Sequence, residues 1–142
     1  MLKKKICVVC FANYCRSPVA ETVLSKTFKN KFDVISAGIR PLRGDDMDKR
    51  SRNYLLRKDY NPQTHIPRKL TREIVEESEL ILALDANVLM EVNRKYRKYM
   101  NKIKILTFQN NKIKLPDPFR FNDFEYEKIM EDIEKICTSL KL

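Results

Sequence analysis

Residues 10–17 read Cys10-Phe11-Ala12-Asn13-Tyr14-Cys15-Arg16-Ser17, and Pro18 follows them directly. This stretch separates two segments whose apolar residues follow different patterns. Before it, the continuous apolar run 6–9 is typical of a buried strand. After it, apolar residues recur at helical spacing, and Pro18 suits the first turn of a helix. The sequence therefore predicts a strand, a tight loop and the start of a helix in immediate succession.

A loop of this kind favours the binding of anions. The first backbone N–H groups of a helix lack helical partners, and the helix dipole adds partial positive charge at the same place. Arg16 contributes a planar, two-pronged donor that matches a phosphate group. Cys10 ends the strand, where we expect its thiol to ionise readily, and the thiolate is the nucleophilic form. The stretch therefore indicates a cysteine-dependent phosphatase.

The 142 residues fit one domain, residues 1–142. No apolar run approaches the length of a membrane span, and the first strand begins too early to leave room for a signal peptide. We therefore expect a cytoplasmic protein without membrane insertion, whose four cysteines are thiols. Cys7 and Cys10 have a zinc-like spacing but no second pair of ligands, so we expect no metal.

The net charge of +10 favours anionic partners, such as phosphorylated proteins or nucleic acid. Because the basic residues are scattered along the chain, we attribute most of the charge to solvated faces. We find no stretch that combines clustered basic residues with aromatics in the manner of an RNA-binding strand. Nucleic acid is therefore not an expected partner.

Apolar runs and helical patterns alternate along the rest of the chain. Further strands are predicted at 32–37, 80–84 and 103–106, and helices at 50–59, 71–78, 86–96 and 122–140. Thr71, Asp85 and Asn122 are the expected N-terminal caps of the last three helices. This alternation predicts an α/β fold, an open four-stranded parallel sheet with helices on both faces and the phosphate-binding loop after the first strand. Ligands of such folds bind beyond the carboxyl ends of the strands.

The chain resembles the low-molecular-weight protein tyrosine phosphatases. The family's loop reads Cys-x-x-Asn-x-Cys-Arg-Ser-Pro, which residues 10–18 match. Four further matches occur in the same order as in the family: Ser36-Ala37-Gly38, His65-Ile66-Pro67-Arg68, Leu82-Ala83-Leu84-Asp85 and Asp117-Pro118-Phe119. A bare Cys-x5-Arg is weak evidence, but the extended motif at the first strand-to-helix turn is strong.

The resemblance implies how the site works. Cys10 attacks phosphorus and forms a phosphocysteine, while Arg16 and the loop N–H groups hold the phosphoryl oxygens. Asp117 protonates the leaving phenolate and then activates water. Phosphotyrosine proteins are the implied substrates, phosphate and other oxyanions the implied inhibitors, and no cofactor is needed. The remaining implied site residues bind phosphate or substrate (Phe11, Ala12, Asn13, Tyr14, Cys15, Ser17, Phe119) or support the loop (Asn13, Ser17, Ser36, His65).

Departures from the family leave the substrate open. Tyr14 replaces a residue that is usually smaller in the family, and segment 39–52 lacks the aromatic residue that usually walls the pocket, but contains Arg40 and Arg43. Because relatives of the same fold dephosphorylate arginine or reduce arsenate, a protein arginine phosphatase or an arsenate reductase is an alternative, as is a phosphate-dependent binding module without catalysis. The bulky ring of Tyr14 favours aryl phosphates over phosphoarginine, and residues 82–89 lack the further cysteine that arsenate reduction needs. Cys15 is also a candidate redox partner of Cys10 under peroxide, which would protect the nucleophile.

Overall fold

The structure, a computed structural model, describes residues 3–142. Its elements alternate as the sequence predicted. In chain order they are β1 (Lys4–Cys10), α1 (Ser17–Thr27), β2 (Phe32–Gly38), α2 (Lys49–Arg57), α3 (Arg72–Glu77), β3 (Leu80–Ala83), α4 (Ala86–Lys95), a 3₁₀ helix (Arg97–Lys102), β4 (Ile103–Ile105) and α5 (Asp123–Ser139).

Within residues 3–142 the four strands form one parallel sheet in the order β2-β1-β3-β4. The predicted fold class is therefore confirmed. The central strand β1 pairs with β2 on one side, where Cys10 lies opposite Gly38, and with β3 on the other, where Val9 lies opposite Ala83. The carboxyl ends of these neighbouring strands consequently meet at one edge of the sheet.

Alternate residues of β1 face two separate apolar cores. Ile6 and Val8 pack with side chains of α1, α2 and α5, whereas Cys7 and Val9 pack with side chains of α3 and α4. A parallel strand that is covered on both faces needs apolar residues at every position, which explains the continuous apolar run in the sequence. Helices therefore cover both faces of the sheet, as predicted.

Two local details differ from the sequence prediction. The second helix ends at Arg57 rather than Asp59, because Asp59 adopts a left-handed backbone conformation with φ of 63°. The 3₁₀ helix after α4 was not predicted. None of the helices in the described part of the chain combines the length and apolar character needed to cross a membrane.

Candidate active site

The loop between β1 and α1 turns its carbonyl groups outward. All six carbonyl oxygens of residues 10–15 accept hydrogen bonds from groups outside the loop, at 2.7–3.2 Å. The donors are, in order, the N–H groups of Ile39, Arg40 and Leu42, the ring Nε2 of His65, the N–H of Asp48 and the hydroxyl of Ser51. The segments after β2 and at the start of α2 thus fix the loop from outside.

The loop N–H groups remain available for an anion. Within residues 3–142, no backbone N–H of residues 11–16 donates to a protein group. The loop leads directly into α1, whose N-terminus adds the positive end of a helix dipole. A run of free N–H groups at a helix start, with its carbonyls bonded elsewhere, is suited to the oxygens of a phosphate.

Cys10 is 2% exposed, and its sulfur lies 3.0 Å from the hydroxyl oxygen of Ser17. That hydroxyl already accepts a hydrogen bond from the side-chain amide of Asn13 at 2.8 Å. Its own hydrogen is therefore free to be donated to the sulfur. This geometry suits a thiolate, which accepts hydrogen bonds.

Asn13 links the loop to three other segments. It has φ of 51°, a left-handed conformation that asparagine tolerates better than most residues. Its amide nitrogen also donates to the Ser36 hydroxyl at 2.9 Å, and its side-chain oxygen accepts from the N–H of Arg68 at 2.9 Å. His65 bonds to its carbonyl oxygen at 2.7 Å. The structure therefore brings Asn13, Ser17, Ser36 and His65 together around the loop.

Position 38 requires a glycine because the phosphate-binding loop lies directly against it. A Cβ atom at this position would lie 2.9 Å from both the backbone nitrogen of Asn13 and the carbonyl oxygen of Phe11. Both are backbone atoms, which have no rotamer that relieves the contact. The glycine of the Ser36-Ala37-Gly38 match thus allows the end of β2 to lie directly against the phosphate-binding loop.

Arg16 is 1% exposed and links the loop after β1 to the end of β3 and to the loop before α5. Its Nη1 donates to a carboxylate oxygen of Asp85 at 2.6 Å and to the carbonyl oxygen of Leu115 at 2.7 Å. These bonds use both hydrogens of Nη1, and the guanidinium retains three further N–H groups on Nε and Nη2. Asp85 was predicted only as a helix cap, a role that it also fulfils through its other oxygen, which accepts from the N–H of Val88.

Asp117 lies in the exposed loop before α5 and lines the same cleft as Cys10. One of its carboxylate oxygens accepts the N–H of Phe119 at 3.1 Å, which turns the chain locally. Arg50 holds this loop from below through the carbonyl oxygens of Phe119 and Phe121, at 3.0 and 3.1 Å. The structure therefore places the candidate acid in the same cleft as the candidate nucleophile.

Arg50 and Asp48 were missed in the sequence. The Asp48 carboxylate accepts Nε and Nη2 of Arg50 at 3.1 and 3.0 Å, and the guanidinium lies 3.9 Å from the ring centroid of Tyr126. Asp48 also caps α2. In the sequence, an Asp two residues before an Arg indicates at most a helix cap. It does not show that the Arg will hold the loop at 117–121, because that depends on tertiary contacts.

The cleft above the loop has a volume of about 430 Å³. Tyr14 and Phe119 form one side of it, with ring centroids 6.1 Å apart in an edge-to-face arrangement. Arg40 and Arg43 also line the cleft, so segment 39–52 contributes basic residues to its rim. Phe11, Ala12 and Cys15 complete the lining near the sulfur of Cys10.

Cys15 is buried under the cleft, and its sulfur lies 3.8 Å from the Asp48 carboxylate. Burial raises the pKa of Cys15 to about 12, and the negative charge of Asp48 adds to the rise. Cys15 is therefore a neutral thiol at physiological pH. Within residues 3–142 all four cysteines are free, and no cluster of three or more metal-binding side chains occurs.

A nucleophile held in an anion-binding loop, with a carboxylic acid across the cleft, defines a class of cysteine-based phosphatases. A profile of the family described as low molecular weight phosphotyrosine protein phosphatase matches residues 5–141, so the chain belongs to this family. The enzyme of that name from Rattus norvegicus is 31% identical over 145 residues, covering 94% of this chain and 91% of the relative.

Solved structures agree with this assignment. Vibrio vulnificus Wzb in complex with benzylphosphonate superposes with a TM-score of 0.88 at 25% identity, covering 96% of this chain and 95% of that one. YwlE arginine phosphatase from Geobacillus stearothermophilus superposes with a TM-score of 0.86 at 21% identity, covering 94% and 88%. The second likeness is one of fold.

Proposed function

We propose that the protein hydrolyses phosphotyrosine in proteins through a phosphocysteine intermediate on Cys10. The observation that carries the proposal is the loop around the sulfur, whose carbonyls are all bonded outward and whose N–H groups are left for an anion. Membership of the low molecular weight phosphotyrosine protein phosphatases supports the same reaction.

In the first step the Cys10 thiolate attacks phosphorus, and the bond from phosphorus to the phenolic oxygen breaks. The loop N–H groups and the free N–H groups of Arg16 bind the three remaining oxygens as their charge changes. Asp117 donates a proton to the departing phenolate, which would otherwise be a poor leaving group. The products are a substrate protein with an unphosphorylated tyrosine side chain and an enzyme phosphorylated on Cys10.

In the second step the carboxylate of Asp117 takes a proton from water, whose oxygen attacks phosphorus. The bond from phosphorus to sulfur breaks, inorganic phosphate forms and Cys10 returns as a thiolate. The hydroxyl of Ser17, 3.0 Å from the sulfur, donates a hydrogen bond to this leaving group. The exposure of Asp117 gives water access to the acid.

The cleft favours an aryl phosphate. A phenyl ring that packs in the cleft against Tyr14 and Phe119 gains aromatic contacts, each worth about 0.5–1.5 kcal/mol beyond area burial. Dephosphorylation of phosphoarginine produces a guanidinium cation, which the rim residues Arg40 and Arg43 repel. Both points support phosphotyrosine over phosphoarginine. Phosphate and other oxyanions are expected to compete for the loop.

Cys15 is proposed as a redox partner of Cys10. Peroxide oxidises the Cys10 thiolate to a sulfenic acid with release of hydroxide, and the Cys15 thiol then displaces water to form a disulfide. Both residues line the same cleft, which supports the pairing. The four free cysteines in the described chain also support our proposal of a reducing, cytoplasmic compartment.

Hydrolysis of p-nitrophenyl phosphate in the presence of EDTA tests the proposal. Cys10→Ser is expected to lose more than about a thousandfold in kcat. Cys137→Ala removes a thiol from the core under α5 and is the matched control, which is expected to retain activity. Phosphotyrosine, phosphoserine and phosphoarginine peptides of one sequence then define the substrate. Full activity of Cys10→Ser, or a preference for phosphoarginine, contradicts the proposal.

A further inference from the structure

A basic groove lies beside the active-site cleft, between the segment after β2, the start of α3 and the end of α4. It consists of a cleft of about 690 Å³ and an adjoining one of about 320 Å³. Seven basic side chains and one carboxylate, that of Glu91, line the two. The basic residues are Arg40, Lys69, Arg72, Arg94, Lys95, Arg97 and Lys98.

Most of this charge is uncompensated. Arg72 forms an ion pair with Glu76, and Arg94 forms one with Glu91. The ion pairs of residues 3–142 include none for the other five basic residues of the groove, which are Arg40, Lys69, Lys95, Arg97 and Lys98. By contrast, the cleft between α2 and α5 is balanced, with Arg50 and Arg57 opposite Asp123 and Glu127. The groove therefore gathers positive charge in a concave surface, unlike the cleft between α2 and α5.

The basic groove is continuous with the active-site cleft. Arg40 lines the cleft above Cys10 and also lines the nearer part of the groove. Lys69, Lys95 and Tyr96 line both parts of the groove. A polypeptide whose phosphotyrosine occupies the loop can therefore pass over Arg40 into the groove without leaving the surface.

The side walls of the groove favour a polypeptide over nucleic acid. The hydroxyl of Tyr96 donates to the carbonyl oxygen of Leu70 at 3.3 Å, and that of Tyr99 donates to Glu76 at 2.8 Å. Lysine ammonium groups lie over both rings, Lys95 over Tyr96 at 5.8 Å, and Lys98 and Lys102 over Tyr99 at 5.9 and 5.1 Å. These tyrosines are held by hydrogen bonds and have lysines over their rings, so their faces do not form a platform on which bases stack. A concave surface also fits a chain better than a flat bilayer.

We propose that the basic groove binds an acidic segment of the phosphoprotein substrate, on one side of its phosphotyrosine. The proposal rests on the proposed function and adds the class of sequence that the enzyme selects. Complementary charge at a rim chiefly speeds association and sets specificity. The effect is therefore expected in kcat/KM rather than in kcat.

Three phosphotyrosine peptides test this proposal. One has neutral flanks, one has alternating glutamates over eight residues before the phosphotyrosine, and one has them after it. Eight extended residues span roughly 27 Å, enough to cross the rim. We expect one acidic peptide to exceed the neutral peptide by about tenfold in kcat/KM at low ionic strength. The advantage should fall below about twofold near 0.5 M salt.

Charge reversal locates the effect. Lys95→Glu with Lys98→Glu should bring the acidic peptide to within about twofold of the neutral one, with hydrolysis of p-nitrophenyl phosphate unchanged. The matched control is Lys29→Glu with Lys135→Glu, which changes net charge equally on exposed positions of the α1 and α5 side. This control should keep most of the advantage.

The proposal is overturned if neither acidic peptide has an advantage, or if both double variants lose the advantage equally. It is also overturned if Lys95 and Lys98 are needed to bind RNA or anionic phospholipid vesicles but have no effect on hydrolysis of the peptides. Failure of the proposed function is distinguishable, because it appears as activity of Cys10→Ser or as a preference for phosphoarginine, and neither result depends on the charge of the flanking residues.

Discussion

Gly38→Ala tests whether contact with β2 fixes the phosphate-binding loop. The added Cβ would lie 2.9 Å from the Asn13 nitrogen and the Phe11 oxygen, and 3.0 Å from the carbonyl carbon of Ala12. Non-bonded heavy atoms attract each other best at separations of about 3.5 Å or more, so the loop must move away by about 0.5 Å. Gly38 cannot retreat easily, since its N–H bonds to Arg68 and its carbonyl accepts from Leu70, at 2.8 and 2.9 Å.

The expected loss has two parts. Forcing a methyl group into packed backbone costs about 1–3 kcal/mol, which lowers the melting temperature by about 4–10 °C in a domain of this size. A loop displaced by a fraction of an ångström also aligns its N–H groups poorly with the transition state. Displacements of about 1 Å cost up to a hundredfold, so we expect kcat for p-nitrophenyl phosphate to fall by about ten- to a hundredfold.

Gly44→Ala is the control, because a Cβ atom there meets no atom within 4 Å. It lies in the same connection between β2 and α2 and is expected to keep full activity, with stability unchanged or raised by up to about 1 kcal/mol. Thermal unfolding, steady-state kinetics and inhibition by phosphate are measured on all three proteins. Wild-type kcat per folded enzyme in Gly38→Ala would refute the argument, even if the melting temperature fell.

The other predictions concern the acid, its support and the buried thiol. Asp117→Ala should slow phosphorylation of the enzyme most for poor leaving groups, and an equal loss for all leaving groups removes Asp117 from the acid role. Arg50→Lys should lower kcat by about tenfold and increase its dependence on the leaving group, because the acid loop loses two carbonyl contacts. Arg52→Lys, whose partners are Asp46 and Gln63, should change neither. Inactivation by peroxide should be reversed by dithiothreitol in the wild type and become less reversible in Cys15→Ser, whereas unchanged reversibility leaves Cys15 with a packing role only. Burial raises the pKa of Cys15 from 9.0 to about 12, so the stabilising contribution of its protonated form is complete below pH 9. Each pH unit from there to 12 should lower the contribution of this thiol to the free energy of unfolding by about 1.4 kcal/mol. Urea titrations at several pH values measure this slope, which should be smaller in Cys15→Ser.

Much of the fold was predictable because its signals are local. Thr71, Asp85 and Asn122 each accept the N–H three residues ahead, as helix caps do, and each was predicted from its own neighbours in sequence. β1 and β3 were predicted from apolar runs that have no polar residues, and β2 and β4 from apolar patterns that include Asp33, Ser36 and Lys104. The left-handed Asp59 and the 3₁₀ helix depend on finer backbone preferences, which apolar periodicity does not report.

The contacts that shape the site were not predictable in the same way. Cys10 lies opposite Gly38 in the register of β1 and β2, and only this pairing explains why the N–H groups after β2 bond to the loop carbonyls. The bonds from Arg68 to Asn13 and from Ser51 to Cys15 join residues 55 and 36 positions apart. Motifs identified the residues, but the order of the strands determines which of them meet.

The basic groove could not be predicted from the scattered charge along the sequence. Part of it comes from the run Arg94-Lys95-Tyr96-Arg97-Lys98-Tyr99, in which basic residues and tyrosines are close together. This run forms the end of α4 and the 3₁₀ helix rather than a strand. Arg40 and Lys69 join it only in space, so an apparently scattered charge becomes a continuous surface.

Arg16 shows why catalysis and folding are inseparable in this protein. Its Nη1 bonds to Asp85, just beyond β3, and to Leu115, in the loop that carries Asp117. The guanidinium therefore links the loop of Cys10 to the loop of Asp117 before any substrate binds. A lysine at this position would supply a positive charge but no planar fork, so it could not hold both partners and still present parallel donors to phosphate. The arginine is needed as much for the geometry that it imposes as for the charge that it provides.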